Sequence, residues 1–259
     1  MYQRQLFFNP KIANQKPNNS DACPFCVQDN LGKILDQQDD MIWVENKFPT
    51  LEGTYQTLII ESSQHLGDIS NYSANKNHQL FAYAFEKWQS LQDQSNYRSV
   101  IMYCNFGPKS GGSLRHPHLQ IVGLEDIDGH EELALSDFTG ISVSSEGSDQ
   151  AEILVSTRPL VDYTEFTVKV SGFDKLSQLA DGVQFITDYI LTDFAGGSCD
   201  SYNIFFYQFS EAICCQVTPR FVTSPYHIGY GIHQLHQVSH LEKLCRILQQ
   251  RLESSKVNR

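Results

Sequence analysis

Two kinds of apolar pattern alternate along the chain and predict its secondary structure. Runs rich in β-branched and aromatic residues predict strands. The predicted strands cover residues 5–8, 41–49, 55–61, 99–104, 119–123, 140–144, 152–156, 165–170, 201–208 and 212–219. Elsewhere apolar residues recur at helical spacing, as in Leu80, Ala84 and Trp88, which predicts amphipathic helices. The predicted helices cover about residues 74–92, 175–194 and 233–252.

The order strands, helix, strands occurs twice along the chain, and a last predicted helix follows the second series. The first series ends near residue 130, and the second follows it without obvious sequence identity to the first. The repetition predicts two similar halves, residues 1–130 and 131–259, each built from strands and helices.

Composition indicates a folded, acidic protein. Apolar residues make up 41% of the chain and aromatic residues 12%, which is typical of a globular core. The net charge of −11 argues against binding to nucleic acid, since no basic excess can neutralise a phosphate backbone. A small phosphorylated metabolite needs only a few local cations. No signal-peptide core or membrane-length apolar run occurs in the sequence, so we expect a cytoplasmic protein with no membrane partner.

The cysteines favour metal binding over disulfides. Their number, seven, is odd, and the adjacent Cys214 and Cys215 would face opposite sides of a strand. Cys23 and Cys26 form a C-x-x-C turn that can give two thiolates to zinc if two more ligands come from elsewhere. A redox pair is the alternative, but such pairs usually lie between a strand and a helix, whereas this one follows an Asn- and Pro-rich loop at residues 9–20.

A glycine-rich segment joins two predicted strands near the middle of the chain. Gly107, Gly111 and Gly112 let backbone N–H groups approach a ligand, and successive N–H groups can form a concavity that binds an anion. Lys109 and Arg115 add positive charge in the same place. The segment therefore predicts a phosphate-binding loop.

Two histidines and a glutamine follow this loop at alternate positions. His116, His118 and Gln120 should project from one face of a strand, and Pro117, which lacks an N–H donor, suits an edge strand or a strand beginning. Neutral imidazole is a good nucleophile, and an amide can donate to a phosphoryl oxygen. The pattern predicts covalent phosphoryl transfer, with ordinary strand histidines as the alternative for an isolated His-x-His.

These motifs together resemble a known active site. They are Asn105-x-Gly107, Gly111-x-Ser113 and His116-Pro-His118-x-Gln120. The series is similar to the signature of the galactose-1-phosphate uridylyltransferase family, within the histidine-triad superfamily of nucleotidyl transferases and hydrolases. The resemblance implies an α+β fold of two histidine-triad-like halves, with a mainly antiparallel sheet flanked by helices. It also implies a homodimer.

The resemblance assigns a role to each motif. His118 would be the nucleophile, and Gln120 and Ser113 the other catalytic residues. A structural zinc ion would be held by Cys23, Cys26, His65 and His116. The substrate would be bound by Asn46, Phe48, Asn105, Gly107, Lys109, Gly111, Gly112 and Arg115, and by Lys11 and Lys16 where relatives carry arginine.

The implied function is nucleotidyl transfer. A nucleoside monophosphate would move between a nucleotide sugar and a sugar phosphate through a covalent nucleotidyl-histidine, as in UDP-hexose:hexose-1-phosphate uridylyltransferases. Glutamine at position 120 favours transfer over hydrolysis. Two alternatives remain open: a phosphorylase of an ADP-sugar or a dinucleoside polyphosphate, and a non-catalytic, zinc-stabilised nucleotide-binding protein, against which the presence of His118 argues.

The second half departs from the family pattern. Some relatives carry a further His-x-His in the closing strand, where this chain has Cys215-Gln-Val-Thr-Pro-Arg220, so we expect one catalytic centre. The stretch 220–230 resembles a segment that helps to bind the sugar. Histidines 233, 236 and 240 would share a helix face, but a metal cluster is not favoured there, because no cysteine or carboxylate set lies near them in the sequence.

Overall fold

The computed structural model describes residues 4–16, 23–147, 149–160 and 163–257, and its centre is one ten-stranded sheet. The strands are β1 Ile34–Gln38, β2 Met41–Glu45, β3 Thr54–Ile60, β4 Ser99–Phe106, β5 His118–Leu124, β6 Gly140–Ser144, β7 Glu152–Ser156, β8 Phe166–Val170, β9 Tyr202–Gln208 and β10 Ile213–Pro219. The helices are α1 Pro10–Ala13, α2 Ala74–Gln92, α3 Leu176–Thr192, α4 Pro225–Tyr230 and α5 Val238–Val257.

The strand order confirms the predicted α+β fold of two similar halves. It reads β1-β2-β3-β5-β4-β9-β10-β8-β7-β6, so the second five strands mirror the first five. Neighbouring strands pair antiparallel throughout, and β4 joins β9 at the centre, with Cys104 opposite Ile204. The division between the halves at residue 130 stays a prediction.

One face of the sheet is covered by α2 and α3. Along β4, Val100, Met102 and Cys104 are buried against these helices, because alternate residues of a strand share a face. Trp88 of α2 is fully buried and donates from Nε1 to the main-chain oxygen of Val100, at 2.9 Å. Burying each large apolar side chain contributes about 1.5–3 kcal/mol. The opposite face of the central strands is therefore free to carry a site.

Several local predictions were wrong. Strand β1 was missed because it is a polar edge strand, with Asp36, Gln37 and Gln38. Residues 5–8 form no strand; only Phe8 makes a single bridge, to Leu51. The last helix begins at Val238 rather than at residue 233, and the short helix α4 was missed. Histidines 233 and 236 consequently lie outside the helix that carries residue 240.

Two further predictions concern the strand position of Pro117 and the loop before the cysteine pair. The strand β5 begins directly after Pro117, as expected, yet it is a central strand between β3 and β4; the proline carbonyl accepts from the N–H of Glu61 at 3.1 Å. Part of the loop predicted before the cysteine pair, residues 17–22, lies outside the described residues.

Within the described part of the chain, no helix has the length and apolar character needed to cross a membrane.

Candidate functional site

His118 opens β5 on the face opposite to the two long helices. Leu119 and Ile121 point into the helix-covered core, so strand alternation directs His118 and Gln120 the other way. Nδ1 of His118 lies 2.8 Å from the main-chain oxygen of His116. Because a carbonyl oxygen only accepts, Nδ1 carries the proton and Nε2 keeps a free lone pair. Burial lowers the pKa of His118, which keeps the imidazole neutral near pH 7.

Four sulfur and nitrogen ligands converge beside His118. The ligand atoms of Cys23, Cys26, His65 and His116 all lie within 4.8 Å of one another. Sγ of Cys26 is 3.4 Å from Nδ1 of His65 and 3.5 Å from Nδ1 of His116. Around zinc, tetrahedral bonds to sulfur and nitrogen separate the ligand atoms by roughly 3.3–3.8 Å. This group can therefore bind a metal ion, and its donor set fits zinc.

The metal-binding group joins three distant segments of the chain. Cys23 and Cys26 flank a short turn, His65 follows β3, and His116 precedes β5. Nε2 of His116 donates to the main-chain oxygen of Ser62 at 2.8 Å, which turns Nδ1 toward the other ligands. Since one residue separates His116 from His118, a metal held here also fixes the backbone from which His118 projects.

A cavity of about 690 Å³ lies in front of His118. Val44 of β2 and Leu58 of β3 give one side an apolar surface, and the glycine-rich loop between β4 and β5 forms the other side. The predicted site residues that line it are Lys16, Asn46, Phe48, Asn105, Gly111, Gly112, Ser113, Arg115, His118 and Gln120, with Cys23 and His65 of the metal-binding group. A cleft of this size that combines an apolar surface with convergent polar groups is typical of a small-ligand site.

Tyr103 is a site residue that the sequence analysis missed. Its hydroxyl donates to Oε1 of Gln120 at 2.9 Å, and both side chains line the cavity. With Oε1 engaged, the Nε2 donors of Gln120 are left for a ligand. Alternation along β4 places Tyr103 on the face of Gln120, but the sequence does not reveal which strands are neighbours.

Asn46 and Arg115 line the cavity and also shape its walls. Oδ1 of Asn46 accepts from the N–H of Phe48 at 3.0 Å, which closes the turn after β2. The guanidinium of Arg115 lies 4.6 Å from the ring centre of Phe106 and donates to the main-chain oxygen of Gly67 at 3.1 Å. Both side chains therefore hold defined orientations before any ligand binds.

Three predicted substrate-binding residues do not line the cavity. Lys109 forms an ion pair with Asp200 at 2.8 Å, and its N–H donates to Ser201. Gly107 packs against the same segment of the second half, and Lys11 is exposed on α1. Lys109 and Gly107 thus fasten the loop to the second half, an arrangement that the sequence motif alone could not indicate.

The two loop glycines with positive φ should differ in their tolerance of a side chain. Gly107 has a φ of +85°, and a Cβ there would lie 2.2 Å from the main-chain oxygen of Asp200. Gly111 has a φ of +84° but open space around it. Urea unfolding should show that Gly107→Ala lowers the free energy of unfolding by about 3 kcal/mol or more, and Gly111→Ala by only about 1 kcal/mol. Equal losses would contradict the assigned packing of Gly107.

A buried carboxyl lies beside the His116–His118 segment. Glu61 is 1% exposed, and burial followed by the nearby charge of Asp68 raises its pKa to about 8. It borders a small cavity lined also by Arg115 and His118. At neutral pH this carboxyl is therefore mainly protonated, and it adds little negative charge beside His118.

The fold of this chain is shared with solved structures of a uridylyltransferase and an ADP-glucose phosphorylase. A uridylyltransferase structure has 14% sequence identity and a TM-score of 0.70, covering 92% of this chain and 94% of that chain. An ADP-glucose phosphorylase from Arabidopsis thaliana, solved with bound ADP-glucose, has 14% identity and a TM-score of 0.71, covering 95% of this chain and 98% of that one. At such identities these likenesses establish the fold.

The chain belongs to the DUF4931 family. Residues 8–127 match the N-terminal domain of unknown function DUF4931, and residues 130–252 match the corresponding C-terminal domain. A DUF4931 family protein from Bacillus cereus is 37% identical, with a TM-score of 0.74, covering 84% of this chain and 98% of that chain. No curated protein matches the sequence.

Proposed function

We propose that this protein transfers a nucleoside monophosphate from a nucleotide sugar to a phosphorylated acceptor through a covalent intermediate on His118. The observation that carries the proposal is the hydrogen bond from Nδ1 of His118 to the His116 carbonyl. It leaves the Nε2 lone pair available beside a cavity of suitable size. Neighbours with the same fold include a uridylyltransferase and an ADP-glucose phosphorylase, which supports nucleotidyl transfer as the reaction class.

The first half-reaction forms one bond and breaks one. Nε2 of His118 attacks the α-phosphorus, and an N–P bond forms. The bond from this phosphorus to the bridging oxygen breaks, and the departing sugar phosphate takes the electron pair. In the intermediate the imidazole ring carries positive charge, which the His116 carbonyl stabilises through Nδ1–H. A phosphate oxygen of the acceptor then attacks phosphorus, the N–P bond breaks, and His118 is restored.

The loop residues would stabilise the phosphoryl oxygens. Gln120 donates from Nε2, the backbone of Gly111 offers an N–H group, and Arg115 offsets negative charge. The N–H of Gly112 already donates to Oγ of Ser110, at 3.3 Å. Ser113, which lines the same cavity, would donate to the departing phosphate. The apolar side of the cavity near Phe48 and Leu58 would receive the base and ribose. Lys16 lines the same cavity and can neutralise a phosphate as a point charge.

A zinc ion is the proposed occupant of the metal-binding group, with a structural role. Cys23, Cys26, His65 and His116 would supply all four tetrahedral ligands and leave no open position for substrate. When bound, the ion would tie the cysteine turn to β5. The reacting groups are those of His118 and the loop.

The identity of the acceptor separates transfer from phosphorolysis. Radiolabelled UDP-glucose and ADP-glucose are each incubated with a hexose 1-phosphate or with inorganic phosphate, and the labelled products are resolved. If the protein catalyses transfer, a new nucleotide sugar should form only when the hexose 1-phosphate is present. A nucleoside diphosphate formed only with inorganic phosphate would identify a phosphorylase instead. Absence of both products with every nucleotide sugar would contradict the proposed activity.

Removing the Tyr103 hydroxyl should slow the reaction through Gln120. In Tyr103→Phe the Gln120 amide loses the partner of its Oε1 and can rotate, so the donors facing phosphorus are no longer fixed. We expect kcat to fall roughly 5- to 50-fold while KM changes little, because the lost interaction strengthens in the transition state. Tyr97→Phe, on the helix-covered face of the sheet and outside the cavity lining, is the control. A normal kcat in Tyr103→Phe would exclude the orienting role.

A further inference from the structure

One aromatic ring packs against both histidines of the His116–His118 segment. It belongs to Phe25, which lies in the middle of the cysteine turn, Pro24–Cys26. The ring centre of Phe25 is 5.3 Å from that of His118, with the two planes at 76°, and 5.9 Å from that of His116, at 84°. Nearly perpendicular rings at such distances attract one another beyond the effect of burial. A single side chain therefore contacts the proposed nucleophile and one of the proposed metal ligands.

The turn that carries Phe25 has a defined backbone. The N–H of Cys26 donates to the main-chain oxygen of Cys23 at 3.2 Å, and Pro24 fixes one backbone torsion. A zinc ion bound by both thiolates would hold the same turn at two further points. The position of the Phe25 ring is thus set by the backbone that supplies two of the proposed metal ligands.

Phe25 also packs against the apolar part of the open face of the sheet. The side chains that it contacts form a buried cluster on β2 and β3: Ile42, Val44, Leu58 and Ile60. Ile60 lies opposite His118 in the pairing of β3 with β5, so the cluster adjoins the imidazole. The Phe25 ring is therefore held between this cluster and His118, and it lines the cavity in front of His118.

The imidazole of His118 needs more than one restraint to direct Nε2 at a phosphorus atom. The hydrogen bond from Nδ1 to the His116 carbonyl restrains one corner of the ring. A second ring packed nearly perpendicular to it restricts tilting and flipping of the imidazole. Such restraint matters for the reaction, because a displacement of about 1 Å in a reacting group can slow it roughly 100-fold.

We propose that Phe25 is a positioning residue for His118. Its ring fixes the orientation of the imidazole so that Nε2 faces the cavity. It also joins the metal-binding turn to the nucleophile by side-chain packing, in addition to the backbone connection through Pro117. The inference rests on the proposed nucleotidyl transfer for its place in the reaction, but the orientation of the imidazole can be measured without turnover.

The first test measures the His118 ring by NMR on the full, zinc-containing chain with isotope-labelled histidine. The resonances are assigned with His118→Ala. In alkaline buffer, where imidazoles are neutral, the wild type should show the proton on Nδ1 and a rigid ring. In Phe25→Ala, both tautomers should be present and the ring should exchange between orientations. Phe25→Leu, which keeps apolar bulk but not the flat ring, should lie between the two.

The second test measures nucleotide loading by mass, with UDP-glucose or ADP-glucose at saturation. Loading should be about tenfold or more slower in Phe25→Ala, since fewer molecules direct Nε2 at phosphorus. The half-saturating concentration should change less than about threefold, and the metal content should stay that of the wild type. Ile42→Ala is the control. It removes a side chain from the same apolar cluster but outside the cavity lining, so it should lower the thermal unfolding midpoint without slowing loading.

Each outcome decides the assignment. An ordered His118 ring and wild-type loading in folded, metal-containing Phe25→Ala would overturn it. Loss of metal in step with loss of loading in both Phe25 variants would also overturn it, because the ring would then act only on the metal site. Phe25→Leu supplies both readouts if Phe25→Ala does not fold. Loading that does not depend on Phe25 refutes only this inference, and a ring ordered by Phe25 without any loading refutes only the proposed transfer.

Discussion

His118→Ala is expected to lose nucleotidyl transfer completely, with turnover reduced by at least about a thousandfold. The substitution removes the only group that we assign to bond formation with phosphorus, and nothing in the loop can replace a nucleophile. The protein should still fold, because the His116 carbonyl stays in place and the metal ligands are untouched. Steady-state turnover of the nucleotide sugar identified in the product assay gives the measurement.

The matched control for this variant is His78→Ala. His78 lies on α2, which covers the face opposite to His118, and interacts with Asp181 at 2.7 Å. It is outside the lining of the cavity in front of His118. It should retain wild-type turnover. If His118→Ala kept more than a small percentage of wild-type activity while binding the same metal content, a nucleophile other than His118 would have to be sought.

Loss of the bound metal should cause the largest decrease in the stability of the fold. Cys26→Ser replaces a thiolate by a poor zinc ligand, and the three remaining ligands hold the ion much more weakly. Structural zinc contributes several kcal/mol to folding, so the midpoint of thermal unfolding should fall by about 10 °C or more. Activity should fall with it, since His118 is joined to His116 through Pro117. Elemental analysis and thermal unfolding, each on wild type and variant, give the two readouts.

Cys245→Ser is the control for the metal-site variant. The Cys245 thiol is buried on α5 and donates to the main-chain oxygen of Ser142 at 3.1 Å, a contact that a serine hydroxyl can also make. It should keep the metal and nearly all of the thermal stability. If the wild-type protein contains about one zinc per chain and the Cys26→Ser protein contains the same amount, the proposed ligand set is excluded.

The parts of the fold that sequence predicted best are those with strong local patterns. Helix α2 was predicted with its observed bounds, since its apolar stripe is regular and Ser73 caps its start, accepting from the N–H of Lys76. Strand β5 was predicted because apolar residues alternate with His118 and Gln120. Strand β1 was missed because an edge strand buries little and needs no apolar pattern.

The sequence did not predict some parts of the candidate site, because they depend on contacts between segments that are distant in the chain. Tyr103 reaches Gln120 only because β4 lies next to β5. Lys109 was assigned to the ligand because basic residues in glycine-rich loops commonly bind phosphate. Its ion-pair partner, Asp200, lies in the second half of the chain, nearly a hundred residues away. No local sequence pattern predicts that contact.

Intact-mass spectrometry of the wild-type protein, incubated with UDP-glucose and with ADP-glucose and quenched within seconds, shows whether a nucleotide becomes covalently bound to His118. We expect a mass increase of one nucleoside monophosphate, mapped by peptide fragmentation to His118 and discharged when a phosphorylated acceptor is added. The same increase on another residue, or none with any nucleotide sugar while the metal is bound and the protein is folded, would contradict the proposed transfer.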